Sequence, residues 1–560
     1  MNTTTKSDEQ KITLIQKVSK LFNDKNKVKT QSFVVCGDNI KVFYIECLID
    51  KKLLSSSVLA PIEKLATQKE QKLAQSSSKE QFLTKTNNSS KQNTNSQNET
   101  DSHSTKNESK KSNSNKNDLA LQDNNNSTST QSTKNGNNTT SSTDILLNEL
   151  KTHAISLSSI EQTEKISEIE KAIFSGAAVV VSASGAIICP LFSPEKRSIA
   201  EPPTSRVIKG PREGFVEDIF TNEGLIRKRV RSSDLEIEDM FIGRRTKTQV
   251  SLFYLKSIAK PDVIKLVKKR LLSIDIDAIL DSYYIESFLE ADNLKYFKRV
   301  GDTEKPDIFC AKILEGRVGI LVDGSPVALT VPFMMFEDLQ SAEDYYNIPA
   351  IATFARIIRI IGLIFALLIP GIYVALQSYN YRILPINFLI TLLSSIEGLS
   401  IPPLVEIMIV LFLFEIITEA SLRMPNSLGM ALSIIGALAL GNTAVDAGII
   451  SPPSIVVVAV SSVAIYIIPD QIPQTRLLRL IFTAIGGIIG LYGIVTAILI
   501  LTTYLCSIES FGVPYLTPFA PSIKADKKDG YIKKPVQDMQ KRPFMIAGKN
   551  KTRQGGKDER

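Results

Sequence analysis

The chain has 560 residues and a formal net charge of +8, and its near-neutral average hydropathy hides two very different parts. That length is more than one hydrophobic core can fill. Lysine is frequent up to Lys312 and then absent until Lys524, and this gap brackets nearly all the long apolar runs. A lipid bilayer explains such a gap, whereas a soluble core does not. The sequence therefore predicts a soluble N-terminal part followed by a membrane part.

Several classes of function are disfavoured by composition. The positive charge is spread over tails and helices, so nucleic acid is not an expected partner. Two histidines and five cysteines without CxxC spacing leave little material for a metal site or a disulfide framework. There is no GxxxxGK[ST], GxSxG or HExxH motif. We therefore expect no catalytic residues, no metal and no cofactor, and we predict that the protein is not an enzyme.

The first soluble subdomain is predicted to be split by an insertion. After an N-terminal tail, residues 1–30, which has no apolar core typical of a cleaved secretory signal, residues 31–65 read as two strands and a helix start. Residues 66–143 are rich in Ser, Asn, Thr, Lys and Gln, so we predict disorder there. Residues 144–197 contain a helical pattern and two short strands around Gly185, which we expect to pair with the early strands.

A second α/β subdomain is predicted over residues 198–346. Residues 235–257 read as strands, a helix follows Pro261, another covers residues 278–291, and a hairpin turns at Asp323, Gly324 and Ser325. Within it, the charge-rich run of residues 208–231 is typical of a solvated face.

The membrane domain is predicted over residues 350–505, with a basic C-terminal tail at 506–560. The overall fold class is an α/β soluble region of two small subdomains followed by an all-α polytopic membrane domain of five or six segments. The segment from Ile383 to Ile401 is short and bounded by prolines, so it is re-entrant or spanning, while residues 477–505 form one long segment. Five spans would put the tail outside and six inside, and we favour a cytosolic tail.

The stretch from Pro403 to Ser454 places charges in apolar sequence. Carboxylates at membrane depth are costly and usually face a bundle interior, an aqueous cavity or an opposite charge. For Glu406 and Glu415 we favour an ion path or a polar helix contact. Glu419 and Arg423 fit a local i,i+4 ion pair as well as a pathway. Asn442 and Asp446 lie beside a seam of small residues, where they line a lumen if the packed helices enclose one.

Several long strings, in order, resemble the spore germinant receptor A-subunit (GerA) family. They are GPREGF from Gly210, TNEGLIRKR from Thr221, EKPD from Glu304, EGRVGILVDGSP from Glu315, QSAEDYY from Gln340, FEIITEASLRMP from Phe414 and GNTAVDAGIISPP from Gly441. The chain departs from the family pattern at Thr418 and Ser421, where arginine and glycine are usual, and at Asn442 and Asp446, where Gln and Glu are usual. The acidic helix is therefore more negative than in the family.

The resemblance implies a multi-pass protein of the spore inner membrane whose N-terminal region faces the spore core. It also implies a nutrient-sensing receptor that acts with a transporter-like B subunit and a lipoprotein C subunit, and an A subunit that forms a homo-oligomeric, ligand-gated cation channel. The alternatives are a non-conducting accessory or scaffold protein of the germination or dipicolinate-release machinery, and a secondary transporter.

Structural or signalling roles are implied for residues of the soluble strings: Pro211, Arg212, Gly214, Phe215, Asn222, Arg227, Arg229, Glu315, Gly316, Asp323, Gly324 and Pro326.

Overall fold

The computed structural model describes residues 14–22, 27–35, 38–68, 150, 157, 160–183, 185–193, 209–290, 296–397, 401–423 and 443–554. Most of the predicted insertion, from residue 69 onward, lies outside the described residues, and so does Asn442.

The first subdomain is built on a five-stranded antiparallel sheet with the strand order β1-β2-β4-β5-β3. Its strands are β1 (Val28–Val35), β2 (Asp38–Ile45), β3 (Glu161–Thr163), β4 (Ala177–Val181) and β5 (Ala186–Pro190). Strand β2 pairs with β4 through Lys41–Val181 and Phe43–Val179. The expected pairing across the insertion is confirmed, and the fully buried β4 explains why its sequence is a continuous apolar run.

Helices cover both faces of this sheet. One face packs against α1 (Leu14–Leu21) and α3 (Ile166–Phe174), and the other against α2 (Lys51–Leu54), which continues as a π-helix over Ser55–Leu59. Asp50 caps α2 by accepting hydrogen bonds from the backbone N–H groups of its first turn. The helical pattern predicted upstream of α3 is wrong at Glu161–Thr163, which pairs with β5 as an edge strand.

The second subdomain repeats this plan with the strand order β6-β7-β9-β10-β8. Its strands are β6 (Leu235–Ile242), β7 (Thr248–Leu255), β8 (Gly301–Thr303), β9 (Val318–Val322) and β10 (Ala328–Val331). The predicted hairpin is confirmed as β9 and β10, and Gly324 supplies the left-handed turn conformation with φ +85°.

Four helices flank the second sheet. On one face lie α4 (Ile219–Arg229) and α7 (Pro306–Glu315), and on the other lie α5 (Pro261–Leu272) and α6 (Ser282–Glu290). Proline begins α5, as predicted from Pro261. Proline also begins α7, which ends at Gly316 in the left-handed conformation.

The C-terminal half is helical. Its helices are α8 (Ala342–Tyr346), α9 (Pro349–Ser378), α10 (Ile386–Ile396), α11 (Pro403–Arg423), α12 (Pro452–Ile465), α13 (Ile472–Ile489) and α14 (Leu491–Ser507). By length and composition, Pro349–Ser378 and Pro469–Ile489 are candidate membrane spans. The shorter helices α10, α12 and α14 are also apolar.

The helices run between two ends, which we call the domain end and the far end. At the domain end, Leu505 packs with Phe297 of the second subdomain, and the Gln471 amide donates to Asp338. At the far end, the Tyr379 hydroxyl donates to the Ile488 carbonyl over 2.9 Å. Helices α9 and α13 therefore run away from the soluble subdomains, and α14 returns.

Helix α10 begins after the far end of α9, and α11 begins at the same end, where Leu404 packs on Gly487. Because the chain enters and leaves α10 at one end, this helix does not traverse the bundle, in agreement with the re-entrant reading. The prediction that residues 477–505 form one long segment is wrong. Gly490, with φ +77°, breaks them into α13 and α14.

Close packing of α9 on α13 depends on glycine. A Cβ built on Gly371 would lie 2.7 Å from the Phe482 carbonyl oxygen, and one built on Gly486 would lie 2.5 Å from that of Gly371. These backbones approach so closely that only glycine fits, which is the helix contact typical of small-residue faces.

The C-terminal tail packs back onto the second subdomain. Strands β11 (Glu509–Ser510) and β12 (Val513–Pro514) form a short hairpin, and the Ser510 hydroxyl donates to the Arg299 carbonyl over 2.6 Å. Further on, Ile546 and Ala547 are each 1% exposed. The tail thus lies on the same side of the helices as the soluble subdomains.

Candidate functional site

The main charged cluster of the helical region surrounds Glu415 on α11. Arg479 of α13 donates to one carboxylate oxygen over 2.6 Å, and Arg476 lies 3.2 Å from the other. Arg479 also donates to the hydroxyl groups of Ser461 and Ser462 over 3.1 Å each and is 1% exposed. One carboxylate therefore faces two guanidinium groups, and the cluster is net positive.

Glu406 forms a separate cluster near the far end. Its carboxylate accepts hydrogen bonds from the backbone N–H and the hydroxyl of Ser451, both over 2.7 Å. Ser451 precedes α12, so the carboxylate lies at a helix N-terminus, which favours negative charge. Ser454 and Tyr373 complete the cluster. Glu406 and Glu415 thus have different partners, consistent with their opposite faces on α11.

The remaining acidic candidates lie apart from these clusters. Glu419 and Arg423 form the i,i+4 ion pair at 2.7 Å, with side chains 53% and 79% exposed. Asp446 is exposed at the end of the half-buried helical turn Ala444–Asp446. The described residues bring neither group into contact with Glu406 or Glu415, and Asn442 lies outside them.

Helix α4, which carries the TNEGLIRKR string, is buried at the junction of the two subdomains. Every residue from Thr221 to Arg227 is buried. Glu223 pairs with Lys27 of the first subdomain, and Gly224 lies so close to the Cys47 carbonyl that a Cβ would approach to 3.1 Å. The expectation of a solvated face is wrong here, because these charges meet partners that are distant in sequence.

Arg227 is the largest of these buried groups. Its guanidinium lies 5.7 Å from the centre of the Phe174 ring in the first subdomain. Burial raises the pKa of Glu223, and the neighbouring Lys27 opposes that shift. Arg229 and Lys228 both pair with Glu213. Charged side chains of α4 therefore connect the two subdomains.

The GPREGF string forms the loop that leads into α4. The Pro211 carbonyl accepts from the Lys305 ammonium over 2.6 Å, and the Phe215 N–H donates to the Glu304 carbonyl over 2.8 Å. Arg212 is exposed and Gly214 is buried. These contacts join the GPREGF and EKPD strings, which were predicted separately.

Asn222 closes the same loop from inside α4. Its side chain accepts from the Val216 N–H over 2.9 Å and donates to the Val216 carbonyl. The hairpin tip is adjacent, since the Gly324 N–H donates to the Glu217 carbonyl over 2.8 Å and Asp323 accepts from the Ile219 N–H over 3.4 Å. Pro326 is half-buried behind that tip.

Glu315 and Gly316 lie at the other end of α7. Glu315 is 3.5 Å from Arg317, which also pairs with Glu337 at 3.1 Å. Gly316 lies against Ala547 of the tail. In the described part of the chain, these two motif residues thus contact Arg317 and the tail.

A buried cluster at the domain end was missed by sequence analysis. Asp344, 2% exposed, accepts from Arg356 over 2.9 Å and from Arg359 over 2.8 and 2.9 Å. Arg356, 1% exposed, also donates to Asp529 over 3.0 Å, and the Lys533 ammonium donates to the Asp344 carbonyl. The cluster ties α8, α9 and the tail together. The arginine pair at the start of α9 was visible in the sequence, but its acidic partners were not.

Among the described residues, no group of three or more His, Cys, Asp and Glu side chains is placed to hold a metal ion. The cysteines at 47, 189 and 310 have their pKa raised to about 12 by burial, so they are not thiolate nucleophiles.

Two sheet-centred subdomains, a bundle of apolar helices and buried ion pairs where the two parts meet are the features of a membrane protein with a large soluble N-terminal region. A family model described as Bacillus/Clostridium GerA spore germination protein matches residues 111–545. The chain belongs to this family, and the resemblance found in its sequence strings is confirmed. The subunits of this family are not enzymes, as the sequence predicts.

Two relatives and one solved structure are similar to this chain. Spore germination protein KA of Bacillus subtilis (strain 168) is 38% identical over 377 residues, covering 67% of this chain and 69% of that protein. The uncharacterized membrane protein YfkQ of the same organism is 36% identical over 399 residues, covering 70% and 78%. The crystal structure of the N-terminal domain of the A subunit of the Bacillus megaterium spore germinant receptor GerK3 matches with 21% identity and a TM-score of 0.33, over 57% of this chain and 95% of that one.

Proposed function

We propose that the protein is the A subunit of a nutrient-sensing receptor in the spore inner membrane, where it acts with a transporter-like B subunit and a lipoprotein C subunit to trigger germination. The family match carries this proposal, because the matched residues, 111–545, include the second soluble subdomain and the helices. The relative KA is itself named a spore germination protein.

The geometry of the helices supports a specific membrane arrangement. In this arrangement α9, α11, α12, α13 and α14 cross the membrane, and α10 stays in the far leaflet. Because α9 begins and α14 ends at the domain end, the tail and the soluble subdomains share one side. Arginines 356, 359, 423, 476 and 479 all belong to the domain half of their helices, which by the positive-inside rule is the side of the spore core.

The channel hypothesis depends on Glu415. A carboxylate held inside a helix bundle is expected to face a polar path or an opposite charge. Here arginine engages both carboxylate oxygens. We interpret this arrangement as the closed state of the proposed channel, in which the net positive charge of the cluster repels cations. In this proposal an oligomer of A subunits conducts monovalent cations when nutrient binding separates Glu415 from Arg479.

The same ion pair is also compatible with the non-conducting alternative. If the ion pair is permanent, the cluster stabilises the bundle and the chain is a scaffold for other germination proteins. Neighbouring genes for a transporter-like protein and a lipoprotein would support the receptor, whereas dipicolinate-channel genes would support the accessory role.

Nutrient-dependent cation flux in liposomes that contain the complete receptor tests the proposal. Glu415→Gln leaves two arginines without their carboxylate. A cation about 10 Å from residue 415 loses ~1.7 kcal/mol of attraction to the carboxylate at an effective dielectric constant of ~20. The cation flux should therefore fall roughly tenfold or more. Glu419→Gln is the matched control, because its ion pair is exposed, and Asp446→Asn tests the other acidic candidate.

Three outcomes are informative. A selective loss in Glu415→Gln supports a path near this cluster, and equal flux in all variants removes both acids from the path. If the wild-type receptor binds nutrient and passes no cations, the conducting role is rejected and the accessory role remains.

A further inference from the structure

One segment of the tail, Gly530–Val536, lies along the first turns of α9. The Lys533 N–H donates to the Thr353 hydroxyl over 3.1 Å, and Arg356 donates to the Gly530 carbonyl over 2.7 Å. With the Lys533 ammonium on the Asp344 carbonyl, these bonds fix the segment at the level where α9 begins.

That level corresponds to the edge of a bilayer. Arg359 is the last charged residue of α9 and binds Asp344 and the Leu339 carbonyl. From there to Ser378 the helix is about 28 Å long at ~1.5 Å per residue, close to the ~30 Å hydrocarbon thickness of a membrane. The tail segment beside Thr353 then lies at the depth of the headgroups.

The outward face of this segment is apolar. Ile532 is 61% exposed and Val536 is 51% exposed, and Tyr531 beside them is 40% exposed. On the adjoining turns of α9, Ile351 and Phe354 are 54% and 65% exposed. Isolated exposed apolar residues need no explanation, but here several occur together, on the tail segment and on the turns of α9 to which that segment is bonded through Thr353.

The charge around this surface is positive. Residues 508–554 contain ten lysines and arginines and four acidic residues. Lys528 and Lys534 flank the apolar residues and are exposed, whereas the Lys533 ammonium is turned inward. Apolar and aromatic side chains flanked by lysines are the composition of segments that rest on anionic membranes.

We propose that Tyr531–Val536, with Ile351 and Phe354, is an interfacial contact for anionic phospholipids of the leaflet on the domain side. The inference rests on the membrane arrangement proposed above. The apolar side chains enter the headgroup zone and Lys528 and Lys534 bind lipid phosphates, so the lipid holds the tail and the first turns of α9 in place.

Tryptophan fluorescence tests the contact directly, because the full chain contains no tryptophan. Ile532→Trp places a single reporter on the proposed surface. Ile364→Trp, at a 48% exposed position on α9, reports on the hydrocarbon region. Phe241→Trp, 69% exposed on β6, is the control, since it lies at the hairpin-turn end of the second sheet, remote from the helices. The full chain is reconstituted in vesicles with bromine on the lipid chains, near the headgroup or near the bilayer centre.

We expect Trp fluorescence of the Ile532 variant to be quenched most by shallow bromine, that of the Ile364 variant by deep bromine, and that of the Phe241 variant by neither. Adding phosphatidylglycerol to phosphatidylcholine vesicles should shift the emission of the Ile532 variant to the blue. Lys528→Gln with Lys534→Gln should abolish that shift, while the quenching of the Ile364 variant stays unchanged.

Quenching of the Ile364 variant alone would overturn the lipid contact while leaving the membrane arrangement intact, and would indicate that water or a partner protein covers the surface. Quenching of the Ile532 variant that ignores both lipid charge and the two lysines would overturn the anionic specificity. If neither variant is quenched, the membrane arrangement itself is wrong.

Discussion

Asp344 is the residue whose loss should most weaken the junction between the soluble subdomains and α9. Asp344→Asn keeps the size of the side chain and removes its charge. Both Arg356 and Arg359 then keep their charges in a buried site without the carboxylate that they share. Asp529 still compensates Arg356 in part, over 3.0 Å.

The magnitude follows from burial. Arg356 and Asp344 have side chains 1% and 2% exposed. Breaking such a buried pair by removing one partner costs about 3–5 kcal/mol, because a charge remains without compensation. At ~1.4 kcal/mol per factor of ten, local opening of the junction should become roughly 100- to 4,000-fold more frequent.

Hydrogen exchange of the full chain, read by mass spectrometry, measures that opening. Peptides covering residues 349–356 and 526–534 should exchange faster by this factor, while peptides from β9 keep their rates. Asp275→Asn is the matched control, since Asp275 forms an exposed pair with Arg244, and it should leave exchange unchanged. An acceleration below tenfold at the junction, or an equal one in the control, would refute the buried-pair reasoning.

The same carboxylate predicts a dependence on pH. Burial alone raises the pKa of Asp344, but the hydrogen bonds from Arg359 and Arg356 outweigh it and hold the pKa below its ordinary value of 3.8. The stabilisation is therefore complete above about pH 4 and is lost as the pH falls through the lowered pKa. Exchange at the junction of the wild-type chain should rise only in acid, and that of the Asp344→Asn variant should not change further there.

Three other substitutions test separate features. Burial, with Asp302 and Glu290 nearby, raises the pKa of Glu286 from 4.5 to about 8. The folded protein therefore loses stability as the pH rises from 4.5 to about 8, because the unfolded chain ionises this carboxyl group more readily. Glu286→Gln should remove that pH dependence of the thermal midpoint and stabilise the protein at pH 8 and above. Gly371→Ala should lower the free energy of unfolding by about 1–3 kcal/mol, because the added methyl group pushes α9 away from α13. Gly362→Ala meets only the flexible end of the Ile467 side chain and should leave the thermal midpoint nearly unchanged. Ile546→Ala should lower the free energy of unfolding by about 2–5 kcal/mol and open the tail to protease, and Phe544→Ala, at a 51% exposed site of the tail, should do neither.

Elements with strong local signals could be predicted from the sequence. The hairpin of β9 and β10 has its turn residues between two apolar runs, and α5 begins at its proline. The pairing of β2 with β4 could also be predicted, because the strands on either side of the insertion are too few to form a sheet alone. The Glu419–Arg423 pair was equally visible, because both residues lie on one helix four positions apart.

Contacts between distant residues could not be predicted in this way. Glu415 lies far along the chain from Arg479, and no periodicity connects them. The charges of α4 resembled a solvated face because Lys27, which neutralises Glu223, belongs to the other subdomain. Gly490 ends α13, whereas Gly486, one turn earlier, lies within α13 and packs against α9. The sequence around these two glycines does not distinguish their roles.

The returning tail has a consequence for biosynthesis. Ala547 belongs to the same hydrophobic cluster as Phe309 and Ile313, and Phe511 packs into the cluster on the opposite face of the second sheet. These residues follow α14 in the chain, so they are translated after the helices α9 to α14. The core of the second subdomain is therefore incomplete while these helices are being synthesised. Until then Ile258 and its neighbours lack their cover. The soluble subdomain that precedes the membrane helices in the chain must therefore complete its folding after they have been inserted.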